Sequence, residues 1–93
     1  MKIRFADHLR QRLVLRQIPS ALVEAVYREA RERFRDAATG YFIAADRRVA
    51  AGRERDVIVV YEEEPEGVVL ITFHPLRDSE KARRLAGGRW IPL

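Results

Sequence analysis

Two apolar runs near the centre of the chain limit its fold more than any other feature. Residues 57–61 read VIVVY, and residues 68–73 read VVLITF. Both have the length of a strand, yet they lack the alternation of apolar and polar residues that marks a strand with one face in water. Strands of this kind are usually covered on both faces. The chain must therefore build a sheet with material on each side.

Helical and extended patterns on either side of these runs complete the predicted elements. Apolar residues recur on one face of two segments, which predicts helices from Ala6 to about Gln17 and from Ser20 to about Arg31. Pro19 separates the two helices, because the residue before a proline avoids the helical conformation. The segment 2–5 is a short lead-in that can extend as a strand. Strands are predicted at 32–37, 41–49, 53–62 and 68–74, and the first is short and charged, as edge strands often are.

Short connections join these strands, with turns expected at Thr39-Gly40 and Ala51-Gly52 and a loop at Glu63–Gly67. The pattern predicts a single α+β domain, residues 1–93, with two N-terminal helices packed on a four-stranded antiparallel meander sheet. A short C-terminal helix, ending near Leu85, and the tail follow the last strand. The two helices can cover one face of the sheet. The tail, or a second copy of the chain in a homodimer, must cover the other.

Composition excludes several classes of function. The chain has 93 residues and no cysteine, so a disulfide framework, a zinc ribbon and a thiol nucleophile are excluded. No apolar run approaches the ~18 residues of a membrane span. The start, MKIRFADHL, lacks the apolar segment of a secretory signal. We therefore expect a cytoplasmic protein without a membrane partner, a metal site or another cofactor.

The basic residues are almost all arginine, with sixteen Arg beside Lys2 and Lys81. Arginine makes planar, bidentate contacts to phosphate that lysine makes less well. The net charge is +5 over residues 1–35, −4 over 36–74 and +3 over 75–93. Basic ends around an acidic middle indicate an anionic partner.

The stretch DHLRQRLVLRQIP contains a row of basic residues at helical spacing. His8, Arg12 and Arg16 are four residues apart and lie on one side of the predicted helix. The row lies beside the apolar stripe, so we expect it at the margin between helix and sheet, where clefts form. The alternative is that carboxylates of the same chain pair with these arginines, with Asp46, Asp56 and Glu32 as the candidates.

His74 and two pairs of basic residues are further candidates. His74 ends the last predicted strand, where a histidine can act as general acid or base on a phosphate; otherwise it is half-buried and bonded to a loop carbonyl. Arg47 and Arg48 follow two aromatic residues on one strand, as in sheets that bind single-stranded RNA, but solvated arginines beside core aromatics show the same pattern. In the tail, Lys81 and Arg84, with Arg83, Arg89 and Trp90, can close over a nucleic-acid backbone or form a solvated helix face.

The N-terminal motif followed by an amphipathic helix and a meander ending in VVLITFHP resembles a family of small bacterial domains of unknown function. Those domains read His-x3-Arg-x3-Arg-x-Ile near the start, and the resemblance covers residues 5–76. The family looks like a relative of the RelE and BrnT toxins, which have the barnase/colicin/RelE-type ribonuclease fold. This chain departs from the pattern at Gln17, where a glycine is common, and at His74, where an aromatic is common.

The resemblance implies a toxin-type, metal-independent endoribonuclease that acts on RNA and is held in check by an antitoxin protein. His8, Arg12 and Arg16 match the family motif and are the site residues that it implies. His8 would then serve as base or acid, the two arginines would hold the phosphate, and His74 would be the second proton carrier. Two alternatives remain open: a non-catalytic module that binds nucleic acid or an acidic protein, and a protein-interaction domain.

Overall fold

The computed structural model describes residues 1–50 and 52–93, which form one six-stranded mixed sheet with three helices. The sheet has the order β1-β5-β4-β3-β2-β6, and β1 is parallel to β5 while the other neighbours are antiparallel. The turn predicted at Ala51 lies outside the described residues. Within the described part of the chain, no helix has the length and apolarity needed to cross a membrane. The elements in chain order are β1 (Lys2–Phe5), α1 (Asp7–Leu15), α2 (Ser20–Glu29), β2 (Glu32–Asp36), β3 (Phe42–Ala50), β4 (Arg53–Glu64), β5 (Gly67–Pro75), α3 (Glu80–Ala86) and β6 (Trp90–Pro92).

The predicted fold class is wrong in its sheet, which is neither four-stranded nor wholly antiparallel. The four central strands do follow one another as antiparallel neighbours, but β1 and β6 add a strand at each end. β2 is consequently not an edge strand, because β6 pairs with its outer side. Both added strands are short, and both pair with residues far away in sequence. Hydrophobic spacing within a segment identifies a strand, but it does not indicate which distant strand it pairs with.

The contact between β1 and β5 depends on a glycine. Lys2 lies opposite Gly67, and the Lys2 amide donates a hydrogen bond to the Glu66 carbonyl at 2.9 Å. A Cβ atom on Gly67 would lie 1.8 Å from the Lys2 carbonyl oxygen. Only glycine therefore lets the first strand lie this close to the last strand of the meander.

One face of the sheet, which we call the closed face, is covered by α1 and α2. Leu9 and Leu13 of α1 and Val23 of α2 pack onto buried sheet residues, in the larger of two apolar clusters. Tyr27 and Tyr61 pack edge to face, and Arg33 of β2 lies beside this pair, with its guanidinium carbon 5.0 and 5.7 Å from their centroids. The helices thus fill this side of the sheet as the amphipathic patterns require.

The other face, which we call the open face, is only partly covered. Phe34, Ile58 and Trp90 belong to a smaller cluster, which Leu76 completes and against which Leu85 of α3 packs. The chain's own tail thus covers part of this face, which was predicted to be covered by the tail or by a second copy of the chain. The homodimer stays a prediction.

At the end of α1, Gln17 holds the position where the resemblance leads us to expect a glycine. Arg16 is the C-cap, and Gln17 has a left-handed backbone with φ of 55°. The Gln17 amide bonds the Val14 carbonyl at 3.2 Å, and the Ile18 amide bonds the Leu13 carbonyl at 2.9 Å. This is the Schellman pattern, in which glycine is the preferred residue at the left-handed position.

Candidate functional site

Basic side chains converge on an open cavity beside α3. The cavity has a volume of about 670 Å³, and we call it the α3 cavity. Its walls come from the end of β5, from the connection that follows, from α3 and from the residue before β6. This is a concave surface in which several guanidinium groups face one volume. The charged and titratable residues that line it are His74, Arg77, Glu80, Arg83, Arg84 and Arg89.

Glu80 is the one carboxylate in the lining, and it fixes two of its neighbours. Its Oε1 accepts a hydrogen bond from the Arg77 amide at 3.1 Å, and its Oε2 accepts one from Arg84 Nη2 at 2.9 Å. Burial opposes ionisation of this carboxyl, but the hydrogen bonds from the Arg77 amide and the Arg84 guanidinium outweigh it, so the pKa of Glu80 lies below its usual range. Glu80 therefore stays ionised and holds Arg84 in place.

Asp36 fixes Arg89 in the same way. The Arg89 Nε donates a hydrogen bond to Asp36 Oδ1 at 2.7 Å, and the amides of Ala38 and Thr39 bond the same oxygen at 2.8 and 3.1 Å. The hydrogen bond from Arg89, helped by the two amides and opposed by burial, lowers the pKa of Asp36 to about 2. The ionised carboxylate ties the residue before β6 to the β2–β3 hairpin.

Arg77 and Arg83 are the available cations of the α3 cavity. Both side chains are exposed. Among the described residues, neither lies within 4 Å of a carboxylate oxygen, whereas Arg84 and Arg89 each do. An anion in the cavity would therefore meet two arginines that are already oriented by carboxylates and two that have no acidic partner.

His74 reaches the same cavity from the open face. It lies opposite Ile58, a member of the open-face cluster, and paired residues of an antiparallel sheet point to the same side. Its Nδ1 is 3.2 Å from the Pro75 carbonyl oxygen. A carbonyl oxygen only accepts, so Nδ1 carries the hydrogen in this contact and the neutral ring leaves Nε2 as an acceptor.

The predicted row on α1 lies on the other side of the molecule. His8, Arg12 and Arg16 are exposed, and α1 packs on the closed face. The two cavities found along α1 are lined by Arg10 and its neighbours and not by this row. Within the described chain, no carboxylate lies within 4 Å of the three side chains. The structure thus separates His8 from His74 by the sheet and does not bring them into one site.

The three carboxylates that were candidates to neutralise the α1 row have other partners. Asp46 bonds Arg48 at 3.1 Å, and Asp56 lies 3.4 Å from Arg47. Glu32 bonds Lys81 at 2.6 Å. Three of the four predicted nucleic-acid-binding residues are therefore held in ion pairs outside the α3 cavity.

Arg84 is the fourth, and it lies at the centre of the site. Its guanidinium carbon is 5.3 Å from the centroid of the Trp90 ring, and Trp90 in turn stacks on Phe34 at 5.5 Å. An arginine plane backed by an aromatic ring thus faces the cavity. Arg83 and Arg89 were predicted together with Arg84. Arg77 was missed, although its place between the last predicted strand and the basic helix was a signal for it.

We find no match to a family model, to a curated protein or to a solved structure. The relation to the RelE and BrnT toxins therefore stays a prediction. No group of three His, Asp or Glu side chains suited to a metal ion occurs in the described residues. The site is defined by its own geometry: an open cavity lined by arginines, with one imidazole at its wall.

Proposed function

We propose that this protein binds RNA and that the α3 cavity holds RNA phosphates. The observation that carries the proposal is the convergence of Arg77, Arg83, Arg84 and Arg89 on one open cavity. Guanidinium groups in such an arrangement match the oxygens of a phosphodiester, and charge-assisted hydrogen bonds are the strongest that a surface site can offer. A cytoplasmic location is part of this proposal, because the RNA would be found there.

The test compares two double variants that remove the same charge. Arg77→Ala/Arg83→Ala removes the available cations of the α3 cavity, and Arg12→Ala/Arg16→Ala removes two equally exposed arginines on α1. Each phosphate contact on a single strand adds about 0.7 to the slope of log K against log salt. We expect the first variant to lose about 1.4 of that slope and about tenfold in affinity per contact, because a charged hydrogen bond is worth about 1.5 kcal/mol or more.

The control variant is expected to bind as the wild type does. If Arg12→Ala/Arg16→Ala loses the affinity and Arg77→Ala/Arg83→Ala does not, the phosphates lie along α1 and the α3 cavity is not the site. If neither wild type nor variants bind RNA at 50 mM salt, the proposal fails altogether.

A metal-independent cleavage reaction is the second candidate, and His74 is the observation that favours it. In such a reaction the 2′-oxygen attacks the adjacent phosphorus, the bond to the 5′-oxygen breaks, and a 2′,3′-cyclic phosphate forms. His74 Nε2 would take the proton of the 2′-hydroxyl, and the arginines would stabilise the charge that develops on the phosphoryl oxygens. The leaving 5′-oxygen takes its proton from solvent, to which the cavity is open.

Cleavage is tested with end-labelled RNA in EDTA, using wild type, His74→Ala and His8→Ala. We expect cyclic phosphate products from the wild type and from His8→Ala, and a loss of about 100-fold or more in His74→Ala, which is the usual contribution of a general base. Equal cleavage by all three proteins would remove His74 from the reaction and with it this candidate. RNA binding without any product would leave the non-catalytic module as the function.

The toxin–antitoxin role rests on the resemblance of the N-terminal motif alone. If it holds, expression of the chain arrests growth, and the product of a neighbouring gene relieves the arrest. Growth that is indifferent to wild type and to His74→Ala alike would remove the toxin role and leave RNA binding untouched.

A further inference from the structure

The α3 cavity continues into a second hollow on the open face, which we call the sheet groove. The groove has a volume of about 240 Å³ and shares His74, Glu80, Arg84 and Arg89 with the α3 cavity. One hollow is therefore basic, the other is mainly apolar, and the two meet at Arg84. The apolar and aromatic residues of the groove are Tyr41, Ile43, Ile58, Val60, Ile71 and Trp90.

A β-bulge shapes the floor of the groove. Val60 lies opposite Thr72 and Tyr61 lies opposite Leu70, so Ile71 has no partner across the ladder. A bulge bends its strand and redirects the side chain of the extra residue. Ile71 and Thr72 line the groove, and both side chains are only partly buried.

We propose that the sheet groove takes one unpaired base of the RNA whose phosphate lies in the α3 cavity, which makes single-stranded RNA the substrate class. This inference rests on the proposed function. A nucleotide has a charged phosphate and a flat, largely apolar base. The basic α3 cavity suits the phosphate, and the mainly apolar sheet groove suits the base. The Arg84 plane, backed by the Trp90 ring, lies where the two hollows meet and offers a stacking surface for the base.

The geometry favours a single strand because a paired base cannot enter the groove. In an RNA duplex the bases are stacked and hydrogen-bonded inside the helix, and the protein meets phosphates and 2′-hydroxyl groups. The α3 cavity could bind those phosphates, but the apolar groove beside it would then stay unused. Single-strand binding sites combine a basic surface with a stacking platform, as these two hollows do.

The experiment measures binding of three probes: a single-stranded RNA, the same RNA annealed to its complement, and inorganic polyphosphate. Thr72→Phe fills the groove, and Val14→Phe, which adds the same ring at an exposed position of α1 outside both hollows, is the control. We expect Thr72→Phe to bind the single strand about tenfold more weakly, the usual loss of one stacked base, with polyphosphate binding unchanged. Val14→Phe is expected to bind all three probes as the wild type does.

A second variant and a spectroscopic signal keep the test independent of folding defects in Thr72→Phe. Tyr41→Ser removes an aromatic ring from the wall of the groove instead of filling the groove. We expect it to weaken binding of the single strand by about the same factor as Thr72→Phe does. Trp90 is the single tryptophan of the chain, so its fluorescence reports on the groove directly. The single strand should change that fluorescence because it displaces or stacks on Arg84, and polyphosphate should change it much less.

The outcomes separate the two proposals. Equal affinity for single strand and duplex, together with unaltered binding by Thr72→Phe and Tyr41→Ser, would overturn the base site while RNA binding at the α3 cavity stands. Failure of the wild type to bind RNA and polyphosphate alike would overturn the proposed function and the base site with it.

Discussion

Basic side chains lie on both sides of the sheet, but the closed and open faces present them on different surfaces. On the closed face, α1 and α2 cover the sheet, and the basic row of His8, Arg12 and Arg16 lies along a single helix. Side chains on one convex helix diverge into solvent, so the row can meet an extended anion but cannot enclose one. The two cavities described along α1 are lined by Arg10 and its neighbours instead.

On the open face, a helix of seven residues covers the sheet only in part. The arginines beside it come from the connection after β5, from α3 and from the residue before β6, and they surround a volume. The difference between the faces shows that spacing along one helix gives a row of charges, whereas a cavity needs chain segments that return from different directions.

The largest effect expected of this difference is on stability. Leu9→Ala removes a side chain of the closed face that is 1% exposed, and we expect a loss of about 3 kcal/mol in the free energy of unfolding. Leu85→Ala makes the same chemical change on the open face, where the leucine is only partly buried, and should cost about 1 kcal/mol. Equilibrium unfolding in urea measures both. Equal losses would show that α3 is as tightly packed as α1.

A second variant acts on the edge strand that supports the closed face. Gly67→Ala places a Cβ against the Lys2 carbonyl, so β1 must move away, and Phe5, which packs on the closed-face cluster, moves with it. We expect a loss of about 2 kcal/mol, typical of overpacking, in the same urea measurement. Lys2→Ala, which removes only an exposed side chain, is the control. A full effect in Lys2→Ala would show that the side chain, and not the backbone approach, holds the strand.

Hydrophobic spacing and turn residues predicted α1, α2 and the four central strands, and the cap and glycine residues at its ends predicted α3, all to within about two residues. Each is a continuous segment with a local signal. β1 and β6 differ because their pairing joins residues near the N terminus to β5 and residues near the C terminus to β2. Nothing in the segments 2–5 or 90–92 alone specifies those partners, and so the predicted sheet was too small.

The same limit applies to the site. His74, Arg84 and their basic neighbours in the tail were visible in the sequence as single candidates, each with a structural alternative. Their convergence depends on α3 folding back beside β5 and on β6 pairing with β2, which was the part of the fold that the sequence did not predict. The α1 row, by contrast, was conspicuous because its spacing is local.

The open face should also respond to acid through Asp36. Its pKa in the folded protein, about 2, lies below the ordinary value of 3.8, so its charge stabilises the fold above about pH 4 and that contribution is lost as the pH falls towards 2. We expect about 1 to 2 kcal/mol from this carboxylate. Urea midpoints of wild type and Asp36→Asn between pH 2 and 5 should converge at the acid end. A constant difference over that range would contradict the assignment to Asp36.

The smallest expected effect on stability concerns the closed face, at the end of α1. A left-handed backbone costs a residue with a Cβ about 1 kcal/mol, and Gln17→Gly removes this cost. Glycine also increases the entropy of the unfolded chain, which offsets part of that gain in stability. We expect a net gain of about 0.5 kcal/mol in the free energy of unfolding. Gln11→Gly, at an exposed position inside α1, is the matched control and should lose about 1 kcal/mol. Because the Schellman bonds of Gln17 and Ile18 need only the backbone, a loss in Gln17→Gly would mean that the glutamine side chain itself holds the helix end.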